Sequence, residues 1–576
     1  MQGELWNRAM QDVRSGRIAQ ALTSARMQRR LKPRDAEAAW LLGVLLREAG
    51  NWGESANHLR QAAQLAPGNP LVHRALAASL MLVGSVAEAL AAWRTATELD
   101  PTAGDAWLER TTALMIAGDV RAADAVALEG LRHFPGWPPL VSNRMVALTR
   151  AGRYAEAVAA ARECLRAHPA AHDLRSNMLL MLHYADTPLE ESLAEHRAFG
   201  AALPAPQPPA PRADATGPLR VGVLSSDLRG HAVGSFVEPL LQHAPTGTHL
   251  VALSNQPHGH EDPVRLRLQR HFHAWHEVHG LDDAALDALI RRERIDVLVE
   301  LNGHTADNRL PALARKPAPV VVTAIGYPDT TGLPAVDLRL VDSITDPPGA
   351  ERWCTERLLR ADPCFLCYAP PENAPEPALP PDDAPFTFGS FNTAAKIGPA
   401  SAALWARALQ AVPGSRLLLK AHWLADAVVG DAVRAHLRHA GIDLSRVELL
   451  GQTEDTASHL ALYRRMHVAL DTTPYNGTTT TCEALWMGVP VLTVPGDRHS
   501  ARVSASLLTA AGLQEFVCAD ADAFARTAAA LAADRGRLAA HRSDLRQVLR
   551  RSALLDAKAW GTRVHAALRR AFEQAR

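Results

Sequence analysis

Apolar positions in the first part of the chain recur at three- and four-residue spacing, as in Trp40, Leu41, Val44 and Leu45, and again in Leu76, Leu80 and Val83. That spacing places them on one face of a helix. The apolar stretches are punctuated at a fixed step. Pro33, Pro67, Pro101, Pro135 and Pro169 stand 34 residues apart, as do Gly16, Gly50, Gly84, Gly118 and Gly152. Five residues beyond each glycine is a small side chain: Ala21, Ser55, Ala89, Ala123 and Ala157. A glycine lets the backbone turn at a helix end, a small residue lets the next helix approach closely, and a proline ends that helix. The period predicts tetratricopeptide-type helical hairpins over roughly residues 1–170, with Leu71–Ala75 and Ala103–Leu108 opening further helices. Such an array presents a concave groove, expected here to bind a protein or peptide partner.

The pattern changes after Leu174–Gly200, which reads as the last helical segment. Pro204–Pro211 is too proline-rich for a helix and predicts an extended connector. Short β-rich runs then alternate with helical stretches: Leu219–Ser225, Leu250–Leu253, Asp296–Leu301 and Val320–Ile325. A second proline-rich stretch, Ala369–Pro385, follows. After it come Phe386–Phe391, Arg416–Lys420, Val447–Leu450, Val468–Leu470 and Val491–Val494. Strand–helix alternation predicts parallel sheets flanked by helices. The fold class is therefore α plus α/β: a helical solenoid at 1–203, a linker at 204–217, and two Rossmann-like lobes at 218–384 and 385–576. Two such lobes leave a cleft between them, the layout of GT-B glycosyltransferases.

Composition narrows the function. Lys+Arg and Asp+Glu both number 61, so no net field favours nucleic acid or an acidic membrane. Neither is an expected partner. No apolar run reaches the roughly 18–20 residues that span a bilayer, and Met1-Gln2-Gly3-Glu4 does not open a basic-then-apolar leader. Six scattered cysteines fit a reducing compartment, so a cytoplasmic location is expected.

The densest chemistry lies in Leu470–Trp486. An apolar strand runs into Asn476-Gly477, then Thr478, Thr479, Thr480 and Thr481, then a helical pattern carrying Glu483. Threonines at a helix start surround free N–H groups and the positive end of the dipole, a site suited to a phosphate anion. Ser and Thr also serve as plain caps, but four in succession after Asn-Gly exceed what capping needs. Glu483, one turn in, could reach a sugar hydroxyl. Arg498, His499, Ser500 and Arg502 follow the strand end at Val494, where ligands bind in such sheets.

This block, with Gly488-Val489-Pro490 and Pro495-Gly496, resembles the nucleotide-sugar signature of the protein O-linked N-acetylglucosamine transferases. Further segments agree: Ser225–His231, Leu301–Thr305, Gly326–Gly332 and Phe391–Ile397. The resemblance spans both lobes and the repeats and implies a bacterial homologue. It implies an inverting, metal-independent transfer of N-acetylglucosamine from UDP-GlcNAc to Ser or Thr of a protein lying in the cleft and repeat groove. No cofactor and no metal are expected. Lys396 matches the lysine on the donor diphosphate, where a fixed ammonium would stabilise the leaving group. His231 matches a histidine near sugar and acceptor, able to orient or exchange a proton. His459 matches the histidine packed on uridine, and Thr479 and Thr480 match the phosphate-contacting pair. Gly326 falls in a loop expected near the sugar phosphate; Thr393, Asn476, Gly477 and Thr478 complete the predicted donor set.

Animal members carry glutamine, tyrosine, histidine and aspartate where this chain has Thr393, Ala395, Thr478 and Glu483. Bacterial enzymes that transfer glucose from UDP-glucose to asparagine share the fold. That activity and a non-catalytic scaffold are the alternatives. Two weaker motifs have structural readings. Cys364–Cys367 is a lone CxxC without the further ligands zinc needs and reads as packing. Asp520-Ala521-Asp522 resembles a DxD metal motif but reads better as a helix cap.

Overall fold

The computed structural model describes residues 11–12, 15–207, 209, 217–256 and 262–575. The start of the first predicted hairpin and most of the predicted linker lie outside the described residues. The chain forms two compact units. One comprises the described residues up to Ala151 with Ala159–His168; the other comprises Gly152–Val158 and the described residues from Pro169 onward.

In the first unit the 34-residue period becomes structure. Helices Ala36–Glu48, Pro70–Leu82, Gly104–Ile116 and Pro138–Arg150 alternate with Ile18–Leu31, Trp52–Leu65, Val86–Leu99 and Val120–His133. Gly50, Gly84 and Gly118 adopt φ of 79°, 77° and 85°, a left-handed backbone that costs a side-chain-bearing residue about 1–2 kcal/mol. Ser55, Ala89 and Ala123 are fully buried. Ser55 donates from its hydroxyl to the Gly43 carbonyl at 2.7 Å, so a small polar residue fits where two helices nearly touch. Each repeat proline stands two residues past the last helical residue, as Pro67 does after Leu65.

The second unit holds two wholly parallel sheets. The first has the order β3-β2-β1-β4-β5-β6-β7, with β1 Leu219–Ser225, β2 Thr248–Ser254, β3 Ala274–Glu277, β4 Val297–Glu300, β5 Val320–Thr323, β6 Leu338–Val341 and β7 Arg357–Arg360. The second has the order β10-β9-β8-β11-β12, with β8 Thr387–Ser390, β9 Arg416–Lys420, β10 Val447–Leu450, β11 Val468–Leu470 and β12 Val491–Leu492. Central strands are buried on both faces, as Val221, Val223, Val297 and Val321 show. The sequence pattern identifies β1, β9, β10 and β11 with these ends. It misses β3, β6 and β7, which are short and carry charge or lie at a sheet edge. In β6 the buried Arg339 is held by Asp346 at 3.3 Å.

Two helical segments join these lobes from distant parts of the chain. His172–Tyr184 keeps the repeat's register but, with Leu189–Ala201, packs on the first lobe: Ser176 Oγ lies 2.9 Å from His304 Nδ1, and His196 Nε2 lies 2.7 Å from Tyr327 Oη. The last helix, Ala557–Gln574, returns to the first lobe, where His565 Nε2 reaches the Leu240 carbonyl at 2.9 Å. Between lobes, His499 Nδ1 sits 2.5 Å from Asp346 Oδ2, both buried. Among the described residues no helix is long and apolar enough to cross a membrane.

Candidate active site

Parallel strands bring their carboxyl ends to one edge of a sheet, so the loops that follow them share one side. The loop after β11 is the most tightly specified. Asp471 is buried; its Oδ1 accepts the N–H groups of Thr472 and Gly477 at 2.9 and 2.8 Å, and its Oδ2 accepts the Thr493 hydroxyl at 2.8 Å. One carboxylate therefore folds Thr472–Gly477 back on itself. Burial raises the Asp471 carboxyl above its usual range, and these hydrogen bonds oppose that rise.

Helix Thr479–Trp486 begins directly after this loop, and no side chain caps it. Thr480 Oγ1 is turned to Asn392 Oδ1 at 3.0 Å, and Thr481 Oγ1 to Ser504 Oγ at 2.9 Å. The hydroxyls serve lateral packing and leave the first helical N–H groups to a ligand. Gly477 is required here by space: a Cβ would lie 2.5 Å from Thr480 Oγ1 and 3.0 Å from Asn392 Oδ1.

Lys396 meets this helix start from the loop after β8. Its Nζ donates to the Asn476 carbonyl at 2.7 Å and stands 3.8 Å from the centre of the Tyr475 ring. Burial lowers the ammonium to about 8, opposed by the charge of Asp471. Thr393 is exposed and accepts the Lys396 N–H on its carbonyl at 2.9 Å. Asn476 is buried, with its amide nitrogen donating to the Thr472 carbonyl at 2.7 Å; its side chain shapes the loop and its carbonyl holds Lys396.

His459 and Glu483 are brought together, with His459 Nε2 3.0 Å from Glu483 Oε2. The Tyr463 hydroxyl also donates to that oxygen at 3.2 Å. In the first lobe, His231 precedes helix Ala232–Gln242, where Nδ1 accepts the Val233 N–H at 3.3 Å and lies 3.6 Å from Asp227 Oδ2. Burial lowers its imidazole below the ordinary value, opposed by Asp227. Gly326 packs against the chain after β4: a Cβ there would collide with the Leu301 carbonyl oxygen. Thus Lys396, Asn476, Gly477 and Thr478–Thr480 form one cluster and His459 with Glu483 an adjoining one along the same helix. His231 and Gly326 sit on the first lobe.

Several residues of this region carry no local sequence signal. Tyr184 stacks on Tyr475 at 5.7 Å and 17°, and Tyr154 donates to the Ala395 carbonyl at 2.9 Å. These rings line a cavity of about 370 Å³ that Lys396 also borders. The positions of Tyr154 and Tyr184 inside a repeat-like pattern hide this role; only the fold places them beside Lys396. His183 is buried and held neutral, its imidazole lowered to about 4 by burial.

The weaker motifs resolve structurally. Asp520 Oδ1 accepts the Ala523 N–H at 2.7 Å as a helix cap, and Asp522 pairs with Arg407. Cys364 and Cys367 are buried, with Cys364 Sγ accepting the Ser506 hydroxyl at 3.3 Å. Among the described residues His183, His196 and Asp329 bring potential metal-ligating atoms within 4.8 Å of one another. Hydrogen bonds already engage this group: His196 Nε2 with Tyr327 Oη, His196 Nδ1 with the Ser192 carbonyl at 2.7 Å, and Asp329 Oδ2 with the Ser192 hydroxyl at 3.3 Å.

Comparison with known proteins accords with this geometry. A lysine-to-methionine mutant of Thermobaculum terrenum O-GlcNAc transferase superposes with a TM-score of 0.70 at 32% identity, over 99% of this chain and 97% of that one. The tomato protein named probable UDP-N-acetylglucosamine–peptide N-acetylglucosaminyltransferase SPINDLY is 40% identical over 346 residues, 59% of this chain and 37% of its own length. The Arabidopsis SEC protein of the same enzyme name is 26% identical over 357 residues, 59% of this chain and 36% of its own. The chain thus spans little more than a third of the length of these plant relatives. The model of glycosyl transferase family 41 matches residues 205–366 and 377–564, and the chain belongs to that family.

Proposed function

We propose that this glycosyltransferase moves N-acetylglucosamine from UDP-GlcNAc to Ser or Thr of a protein acceptor, with inversion and without a metal. One observation carries the reading: the Lys396 ammonium and the uncapped start of helix Thr479–Trp486 meet at the Tyr475–Gly477 loop. A leaving diphosphate there would find a cation and free N–H groups already in place, which lowers the barrier without reorganisation. Those groups do the charge work that a metal does elsewhere, and the DxD-like acids are committed to a cap and an ion pair. His231, on the opposite lobe, is the candidate for orienting or deprotonating the acceptor hydroxyl. The names of the plant and Thermobaculum relatives support N-acetylglucosamine as the sugar. The repeat groove is the proposed path of the acceptor chain. Six free, buried cysteines support a reducing, cytoplasmic setting.

The test is transfer to a peptide library measured across UDP- and GDP-sugars, with and without a chelator. Transfer from UDP-GlcNAc to Ser or Thr that persists in chelator is the expected result. A preference for another nucleotide or for UDP-glucose, or modification of asparagine, overturns the substrate assignment. The absence of UDP binding by calorimetry overturns the enzyme assignment in favour of a scaffold.

A further inference from the structure

Lys420 is the last residue of β9, and its Nζ lies 2.8 Å from His459 Nδ1. The other ring nitrogen, Nε2, faces the Glu483 carboxylate at 3.0 Å. An ammonium only donates hydrogen bonds and a carboxylate only accepts them. Both ends therefore require the same imidazole: Nδ1 bare toward Lys420, Nε2 protonated toward Glu483. Phe391 and Tyr463 hold the ring from the side, each with its centre 5.7 Å away, at 47° and 74°. Glu483 is itself fixed by the Tyr463 hydroxyl. The imidazole is thus clamped in plane at both nitrogens, and its hydrogen-bonding edges are occupied. What remains for a ligand is its face.

We propose that Lys420 is a positioning residue for donor recognition: it sets the tautomer and plane of His459 so that the ring face serves as a platform for the nucleobase, while Glu483 on the other side of the ring turns to the ribose. This rests on the reading of the helix Thr479–Trp486 region as the donor site. A flat neutral ring gives stacking energy to a base without demanding a particular edge pattern. A ring free to rotate would lose that preorganisation. Lys420 itself need not touch the nucleotide.

The test compares Lys420→Met, Lys420→Arg and His459→Ala with the wild-type full chain. UDP and inorganic pyrophosphate binding are measured by calorimetry, and the His459 tautomer by ¹⁵N NMR. Lys420→Met should weaken UDP about tenfold, leave pyrophosphate unchanged, and turn the single Nε2-protonated ring into a mixture of tautomers. KM for the donor should rise far more than kcat falls. Lys420→Arg, which keeps a donor at Nδ1, should recover most of the UDP affinity. Equal loss of UDP and pyrophosphate in Lys420→Met would show a merely structural lysine and overturn the proposal, as would an unaltered tautomer. If His459→Ala weakens UDP and Lys420→Met does not, the role of Lys420 fails alone; if His459→Ala binds UDP like wild type, the platform itself fails.

Discussion

The Lys396 ammonium stands 3.8 Å from the centre of the Tyr475 ring while donating to the carbonyl of the next residue, Asn476. An aromatic face attracts a cation, so the ring and the carbonyl together fix where the charge lies. Tyr184, stacked on Tyr475, backs the ring from the helical hairpin that ends the repeat pattern.

Lys396→Met should reduce kcat by about 10²–10³-fold, the usual cost of losing one preorganised charge at a developing anion. Circular dichroism should stay near wild type, and the unfolding midpoint at pH 7 should not fall, because burial of the charged ammonium disfavours the folded state. Unchanged turnover would remove Lys396 from the mechanism.

The same lysine gives the binding a pH signature. Its ammonium is lowered to about 8 in the folded protein, against about 10.4 in an unfolded chain. Between those values the unfolded chain holds more protons, so the Lys396 contribution makes donor-free stability rise with pH across that window. Diphosphate affinity runs the other way, strongest below pH 8 and falling as pH rises through it, because only the charged form attracts the anion. UDP titrations at pH 7 and 9 in buffers of different ionisation enthalpy check both the affinity loss and the proton uptake. Lys396→Met should abolish the dependence.

His231 is predicted to act neutral, since burial lowers its imidazole. His231→Ala should lower kcat by about 10²-fold with UDP affinity unchanged, and the acid limb of the wild-type profile, lying below pH 6.5, should vanish. A wild-type profile in the variant would exclude His231 as proton acceptor.

Gly477→Ala tests the tightness of the helix start. The added Cβ would lie 2.5 Å from Thr480 Oγ1, a crowding that costs about 1–3 kcal/mol. Thr480 and Asn392 must part to relieve it. Pyrophosphate affinity should fall together with the unfolding midpoint; a variant with normal affinity would show that the helix start does not hold phosphate.

The lobes should separate more readily in His499→Ala. The buried Asp346 carboxylate would keep Arg339 and lose His499, and breaking one partner of a buried pair costs roughly 3 kcal/mol. These partners hold the Asp346 carboxyl well below its usual range. A depressed carboxyl contributes stability above its unfolded value near 4, and the contribution is lost as pH falls toward the folded value. Denaturant midpoints at pH 7 and 3 should therefore differ less in His499→Ala than in wild type.

Much of this molecule is written locally. The 34-residue period alone determines the helical hairpins, because turning glycine, small contact residue and closing proline act within a few residues of themselves. β1, β9 and β11 are equally legible, since central parallel strands are short apolar runs between polar loops, and the edge strand β10 keeps enough apolar residues to be read the same way. The Asn476–Thr481 run marks a helix start by the same local logic. What the sequence could not determine is which distant residues meet there. Tyr154 and Tyr184 continue a repeat pattern yet border Lys396; Lys420 closes an ordinary strand yet lies 2.8 Å from His459 Nδ1; Asp346 and His499 lie 153 residues apart yet share a buried bond. Each of these depends on how strand ends and helices are brought to one place. That is decided by packing across the whole unit, where burial makes an unpaired charge costly and so selects the partner.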